Sequence, residues 1–371
     1  MSPQNGNANG NSVGGGNSNG TATPTQRADG SQIAGIMALA RKVPTLEYAF
    51  QNILVSIATV ISASLSLTLT ALVVLPLSAL RAIVQKGDSG ILTLIPPEEC
   101  TKRGKVVLIV GASRGIGFEV LKQYVPEPNT TVIAVSKDAD SLRNAIIRLG
   151  DTPATVQMET LDIGTNSPKE ISKIINEWDE KYGPISHLYA ISGISNHIKD
   201  GSPWNMEVTQ NMIQVNVSGI TALSMAMYER MKVRKYGKIC IVGSVAGLYS
   251  PANMISYAST KSFINTFSTS LRVLAAPHNI DVVTVEPGFI DTRMTKKMRK
   301  QGSTVPDIEF ENAEEMSRRM KAGVEKGGVG VVSWPTRQMV VMNALQGLNP
   351  ICDELGKFVS MKSGATGKKV T

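Results

Sequence analysis

The chain has 371 residues, of which 42% are hydrophobic, 18% charged and only 5% aromatic, and its formal net charge is +8. That supplies enough apolar material for a sizeable core, so global disorder is excluded, and the length exceeds one small domain on a rough scale of 100–200 residues per domain. Three scattered cysteines (Cys100, Cys240, Cys352) and three scattered histidines (His187, His197, His278) exclude a disulfide framework and form no metal-ligand cluster, so no metal is expected and a reducing compartment fits.

Residues 1–20 contain fifteen Gly, Ser or Asn. With the same bias continuing to Gly30, segment 1–30 has no apolar surface to offset the entropy of ordering and is expected to be disordered. The extreme N-terminus lacks the charged start and short apolar stretch of a secretory signal. From Tyr48 to Leu80 there follow thirty-three residues without a charge. As a helix they would measure about 50 Å, against the roughly 30 Å hydrocarbon core of a bilayer. Segment 48–80 therefore reads as a membrane anchor. Alternating hydroxyls (Ser62, Ser64, Ser66, Thr68, Thr70) and Pro76 fit a tilted span and equally a hairpin dipping into one leaflet. Arg41 and Lys42 on one side and Arg81 and Lys86 on the other leave its orientation open.

From residue 103 the texture alternates. Lys105–Val110 is a short β-branched run, followed by a glycine loop and a helical pattern to Tyr124. Strands are predicted at Thr131–Val135, Thr155–Thr160, Ile185–Ile191, Lys238–Val242 and Asp281–Val285. Helices are predicted at Ala139–Leu149, Pro168–Tyr182, 207–235 and Asn253–Ala276. Strands alternating with helices of this length make parallel βαβ units with right-handed crossovers, so the fold class is α/β, a Rossmann-type doubly wound parallel sheet over 103–335.

Two local patterns carry chemistry. The first strand runs into Gly111-Ala-Ser113-Arg114-Gly115-Ile116-Gly117, where glycines let the backbone approach a pyrophosphate and the next helix offers its N-terminal amides. Alone, such a loop is weak evidence. Tyr257 and Lys261 stand four apart on a predicted helix, so phenol and ammonium share a face. A nearby cation lowers a phenol's pKa and makes it a usable proton donor or acceptor. That spacing alone is common on surfaces.

Together the two patterns make residues 103–295 resemble the short-chain dehydrogenase/reductase family. The resemblance implies hydride exchange between a nicotinamide dinucleotide and a carbonyl or alcohol carbon. It also implies a catalytic group of four residues. Tyr257 exchanges a proton with the substrate oxygen, Lys261 holds the nicotinamide ribose, Ser244 orients the substrate oxygen, and Asn216, in Asn216-Val-Ser-Gly219, positions the lysine. Further cofactor contacts implied by matching positions are Asp162 and Ile163 after the third strand, Gly193 after the fourth, and Pro287, Gly288 and Thr292 after the sixth. The sequence departs from the family at Ala190-Ile191-Ser192-Gly193, where Asn-Asn-Ala-Gly is usual, so the brace supplied by the first Asn must come from elsewhere.

The second strand ends Val135-Ser136-Lys137 without the acid that binds an NAD ribose. Ser136, Lys137 and Arg114 instead suit a 2′-phosphate, so NADPH/NADP is expected in preference to NAD, with reduction as the working direction. Segment 289–327 is the expected substrate lid. It opens with five cations in eight residues: Arg293, Lys296, Lys297, Arg299 and Lys300. A solvated lid with internal charge pairing and a face for anionic lipid or substrate both fit these cations.

The reading as a whole is an NADP(H)-dependent oxidoreductase reducing a lipophilic carbonyl compound, such as a 3-ketosphingoid base, a sterol or a retinoid, at the endoplasmic reticulum membrane with its catalytic domain facing the cytosol. Membrane lipid is an expected partner, as is a second copy of the chain in a homodimer or homotetramer. Nucleic acid is not, since the basic charge comes with no nucleic-acid-binding motif. Segment 336–371 is expected to form a helical extension and basic tail. The rival reading is a membrane-tethered dinucleotide-binding adaptor without turnover.

Overall fold

The computed structural model describes residues 46–84, 104–195, 205–249, 254–300 and 309–345. The expected tail at 1–30 and the basic tail of segment 336–371 lie outside them, as does the helical stretch expected near 351–361.

The apolar segment is helical throughout. Helix α1 (Leu46–Leu69) passes through a π-helical turn at Thr70–Val74 into α2 (Leu75–Val84). Pro76 explains the turn. Its ring would collide with the carbonyl four residues back, and a widened helix removes that clash. Accordingly the Leu75 amide donates to Thr70, five residues back. Residues Glu47–Leu77 form one long apolar helical stretch, and none of its most apolar eighteen-residue window is buried. It is long and apolar enough to cross a membrane.

The globular body is built on seven parallel strands: β1 (Lys105–Val110), β2 (Thr130–Ser136), β3 (Thr155–Thr160), β4 (His187–Ala190), β5 (Gly237–Val242), β6 (Ile280–Pro287) and β9 (Val331–Trp334), in spatial order 3-2-1-4-5-6-9. A two-residue ladder joins β7 (Ile290–Asp291) to β8 (Glu311–Asn312). Successive side chains on a strand face opposite ways. Val106, Leu108 and Val110 therefore pack into one core with α5 (Pro168–Tyr182), α7 (Ile220–Arg234) and α8 (Ile255–Ala275). Val107 and Ile109 pack into the other with α3 (Gly115–Tyr124), α4 (Ala139–Ile147) and α10 (Ala313–Lys326). Strands buried on both faces read as unbroken apolar runs, which is why KVVLIV and HLYA stand out in the sequence.

The chain runs outward from β1 to β3 and then returns to place β4 beside β1. This reversal leaves a crevice beyond the carboxyl ends of those two strands, the place where open α/β sheets bind ligands. The remaining described helices are α6 (Met206–Met212), α9 (Arg293–Lys300) and α11 (Thr336–Leu345). Helix α6 continues through a π-helical stretch, Ile213–Gly219, into α7.

Segment 289–327 differs from the single lid expected. Only its first part, through α9, borders the crevice. Its last fourteen residues are α10, whose Met316, Met320 and Val324 are fully buried in the second core. The apolar spacing of four (Met316, Met320, Val324) marks that helix in the sequence, but the flanking Arg and Glu residues mask it.

Candidate active site

The crevice is an open cleft. One end is the turn after β1. Gly111 and Gly115 have φ of +107° and +58°, conformations that glycine adopts without strain. A side chain on Gly117 would run into the Gly111 carbonyl. The residue that caps α3, Arg114, makes no side-chain capping bond. The first amides of α3 thus face the cleft without a side-chain cap, which with the helix dipole suits a phosphate.

Beside this turn the Ser136 hydroxyl donates to Ser113 Oγ at 3.0 Å, both residues buried. Arg114 and Lys137 are exposed at the same rim. One residue further on stands Asp138, an acid that the sequence reasoning passed over. Its carboxylate caps α4, accepting from the Ser141 amide at 2.9 Å and the Ser141 hydroxyl at 3.0 Å. Those bonds, with the Arg114 charge, hold its pKa below the usual carboxylate value. The Asp-x-x-Ser spacing before a helical run was the signal for this cap.

At the other end lie Tyr257 and Lys261, on the first two turns of α8. The Lys261 ammonium donates to the Val242 carbonyl at 2.8 Å and sits 5.9 Å from the Tyr257 ring centre. Burial pushes the lysine down to about 8. Burial also raises the Tyr257 phenol, which a hydrogen bond with Ser244 partly offsets. The sequence led us to expect a tyrosine lowered by its lysine. In the protein alone, desolvation dominates both groups.

Ser244 does not line the cleft wall but stands behind the tyrosine. Its hydroxyl donates to the Pro287 carbonyl at 3.3 Å and accepts from the Ala246 amide at 3.1 Å. Asn265 clamps its backbone, accepting from the Ser244 amide at 3.3 Å and donating to its carbonyl at 3.0 Å. Asn265 is four residues past Lys261 and eight past Tyr257 on the same helical face, a spacing that could have identified it.

Asn216 is fully buried in the π-helical stretch. Its amide oxygen accepts from the Ile194 amide, and its nitrogen donates to the Ile194 carbonyl, both at 2.9 Å. A second donor bond reaches Thr260 Oγ1 at 3.2 Å, and that hydroxyl donates to the Tyr257 carbonyl at 2.7 Å. A Cβ built on Gly193 would lie 3.4 Å from Asn216 Oδ1 and 3.6 Å from Lys261 Nζ, so these two groups flank one point beside Gly193.

The altered Ala190–Gly193 segment is braced through its backbone. The Ile191 and Ser192 amides both donate to the Val110 carbonyl, at 3.1 and 3.0 Å. Asp162 and Ile163 form the wall opposite, and the Asp162 carboxylate accepts from the Gly164 amide at 2.9 Å. Pro287, Gly288 and Thr292 close the cleft from the Tyr257 end, where the Pro287 carbonyl receives the Ser244 hydroxyl, to the glycine turn, where the Thr292 methyl approaches Gly115. Gln338 of α11, for which the sequence carried no signal, receives the Phe289 amide at 2.8 Å.

Every residue named above for cofactor contact lines this one cleft: Gly111, Ser113, Arg114, Gly115, Ile116, Gly117, Ser136, Lys137, Asp162, Ile163, Gly193, Tyr257, Lys261, Pro287, Gly288 and Thr292. A glycine cradle at a helix N-terminus, apolar walls and a Tyr–Lys pair at the far end fit a dinucleotide lying along it. Among the described residues no group of three or more His, Cys, Asp or Glu side chains could hold a metal ion.

Comparison with known proteins agrees. Residues 105–303 match the family model described as short chain dehydrogenase. The chain is 29% identical over 203 residues to the 3-oxoacyl-(acyl-carrier-protein) reductase of Vibrio cholerae, covering 54% of this chain and 80% of that one. It is 30% identical over 200 residues to the enzyme of that name from Salmonella typhimurium, covering 53% and 77%. Among solved structures, levodione reductase superposes with a TM-score of 0.57 at 19% identity, covering 64% of this chain and 98% of that one. A short-chain dehydrogenase from Sphingobium yanoikuyae in complex with NADPH gives 0.56 at 24% identity, covering 66% and 94%.

Proposed function

Since this chain belongs to the short-chain dehydrogenase/reductase family, we propose that it is an NADP(H)-dependent reductase of a lipophilic carbonyl compound at a membrane, with Tyr257 as proton donor. The observation that carries the reading is the Tyr257–Lys261 pair at one end of a cleft whose other end is the glycine turn, with Ser244 bonded to the tyrosine and Asn216 linked to its helix through Thr260.

A nicotinamide dinucleotide, when bound, supplies the hydride. Gly111–Gly117 and the N-terminus of α3 hold its pyrophosphate, and Asp162 and Ile163 flank the adenine. Pro287, Gly288 and Thr292 cover the nicotinamide end. Tyr257 then gives its phenolic proton to the substrate oxygen, and Ser244 fixes that oxygen's position through its bond to the phenol. Lys261 stabilises the phenolate left behind, and a lysine already shifted towards neutrality passes its own proton on readily. Asn216, tied to Ile194 and Thr260, keeps the lysine end of the helix in register.

Arg114 and Lys137 support the choice of NADP(H) over NAD, because their charges pair with a 2′-phosphate. Asp138 stays ionised at the same turn, bonded to Ser141, so the choice rests on the two cations, with the Ser136 hydroxyl, outweighing its single negative charge. The relatives named as 3-oxoacyl reductases and the apolar helix α1–α2 support a carbonyl on a lipid-like substrate. Placement at the endoplasmic reticulum with the cleft in the cytosol belongs to the same proposal.

The test is a titration of NADPH and NADH into the detergent-solubilised protein, wild type and Arg114→Ala/Lys137→Ala. Tight NADPH binding that weakens at least tenfold in the double variant, with NADH unaffected, is expected. Preference for NADH would overturn the cofactor assignment. Binding of neither would favour a tethered adaptor, which would also keep its cellular function in Tyr257→Phe.

A further inference from the structure

We propose that helix α9 lies on the headgroups of anionic lipid, so that the rim of the catalytic cleft sits at a bilayer surface. This rests on the reading of α1–α2 as a membrane segment, and it adds which face of the enzyme meets the membrane.

Helix α9 carries five cations and no acid in eight residues. Arg293, Met294 and Thr295 border the cleft, whereas Lys296 and Lys297 do not. Met294 and Thr295 are partly buried, while Arg293, Lys296 and Lys297 are exposed. The helix thus turns Arg293, Met294 and Thr295 to the cleft and Lys296 and Lys297 outward. Among the described residues the one ion pair made by α9 is Lys296 with Asp291 at 3.1 Å, and its side chains are 63% and 43% exposed, where such pairs contribute little.

Like charges one turn apart repel, so this helix is held in a state that a surface of opposite sign would relieve. A flat anionic lipid surface answers a row of outward cations, each contributing about fivefold in affinity near such a surface. A single phosphate on a substrate would instead call for the cations of α9 to converge into the cleft, and of Arg293, Lys296 and Lys297 only Arg293 borders it. With α9 on the headgroups, an apolar ketone would move from lipid past Met294 towards Tyr257 without crossing bulk water.

The experiment compares hydrogen exchange of the full-length protein in phosphatidylcholine nanodiscs with and without phosphatidylserine. Amides of 290–300 are expected to exchange several-fold more slowly with phosphatidylserine, and high salt should reverse this. Helix α5 should show no lipid dependence. Lys296→Gln/Lys297→Gln should lose the protection and Lys296→Arg/Lys297→Arg should keep it. Equal exchange in both lipids, protection that survives the Gln variant, or protection given instead by inorganic phosphate in neutral discs would each overturn the proposal. Alkaline carbonate separates its failure from that of the anchor. A protein stripped from the bilayer has no anchor and sinks both, whereas one that stays and binds NADPH without lipid-dependent exchange sinks this inference alone.

Discussion

At Lys261 function and stability oppose each other. Its pKa of about 8 in the fold lies below the roughly 10.5 of a free lysine. Between those values the unfolded chain binds more protons than the folded one, so this group makes stability rise with pH from about 8 towards 10.5. Below pH 8 both states are charged and the full penalty applies, about 3 kcal/mol for such a shift. Lys261→Met keeps the aliphatic stem and removes the charge, at the loss of the bond to Val242, which contributes about 1 kcal/mol. The variant should be more stable than wild type at pH 7 by about 1–2 kcal/mol, with no turnover. Urea midpoints at pH 7 and 9.5 check this, since the gap should narrow at the higher pH. A less stable variant at pH 7 would show that the buried charge is better compensated than its surroundings indicate.

Gln338 makes a second residue-scale prediction. Its side-chain oxygen occupies the space that a Cβ on Gly288 would need and receives the Phe289 amide, while the Gly288 amide donates to Trp334 at 2.9 Å. The turn that covers the nicotinamide end is thus held from outside by β9 and α11. Gln338→Leu removes the acceptor and should weaken dinucleotide binding about tenfold while lowering stability by about 1 kcal/mol. Gln338→Glu keeps an acceptor and should bind nearly as wild type. Isothermal titration of both variants separates positioning from a general loss of packing, which would affect both alike.

Among the elements, α10 shows what holds the sheet at the end away from the cleft. Its Glu325 meets Lys105 at 2.8 Å, Lys238 at 3.7 Å, His187 at 3.6 Å and the Tyr124 hydroxyl at 2.8 Å, residues from β1, β5, β4 and α3. Burial opposes its ionisation, but His187 and Lys105 hold the carboxyl far below the usual range. Burial also lowers His187. A depressed carboxylate contributes stability above about pH 4.5 and loses it as the pH falls; a depressed histidine begins to oppose folding below about pH 6.5. Glu325→Gln strands partly buried cations and should cost about 3 kcal/mol at pH 7, with NADPH affinity unchanged because the cluster lies at the opposite strand ends. Chemical unfolding at pH 7 is the check, with exposed Glu314→Gln on the same helix as the reference, expected within about 0.5 kcal/mol of wild type.

The same helix marks where the sequence stopped being legible. Strands buried on both faces announce themselves as apolar runs, and residues spaced four apart on α8 share a face whatever surrounds them. These local rules placed the sheet and gathered Tyr257, Lys261 and the glycine turn. Asp138 was legible in its Asp-x-x-Ser spacing, but Gln338 and the Glu325 cluster depend on chain segments brought together from 22 to 220 residues apart in sequence, as in the bonds of Lys105 to Glu127 and Glu325. No local pattern carries such contacts. The lid reading of 289–327 failed over α10 for the same reason: its buried stripe is fixed by partners on α3, β5 and β6, not by its own charged composition.

For the whole molecule, the decisive question is whether α1–α2 lies in lipid. Large side chains such as Phe50, Ile61, Leu65, Leu67 and Leu72 are each more than 60% exposed, so nothing among the described residues covers them, and an apolar stretch of this size does not rest stably against water. Two of its hydroxyls bond to their own turns: Thr59 donates to the Val55 carbonyl and Thr68 to the Ser64 carbonyl, both at 2.8 Å. A helix bonds its backbone internally, and hydroxyls returned to its own turns lower the cost of entering hydrocarbon. A lysine at mid-helix then costs about 2.5–3.5 kcal/mol, and two cost enough to expel the segment. Wild type should therefore stay in the membrane pellet after alkaline carbonate extraction, while Ile61→Lys/Leu65→Lys should move largely to the supernatant and still bind NADPH. Extraction of the wild type under the same conditions would leave the cleft and its chemistry intact but detach them from any membrane.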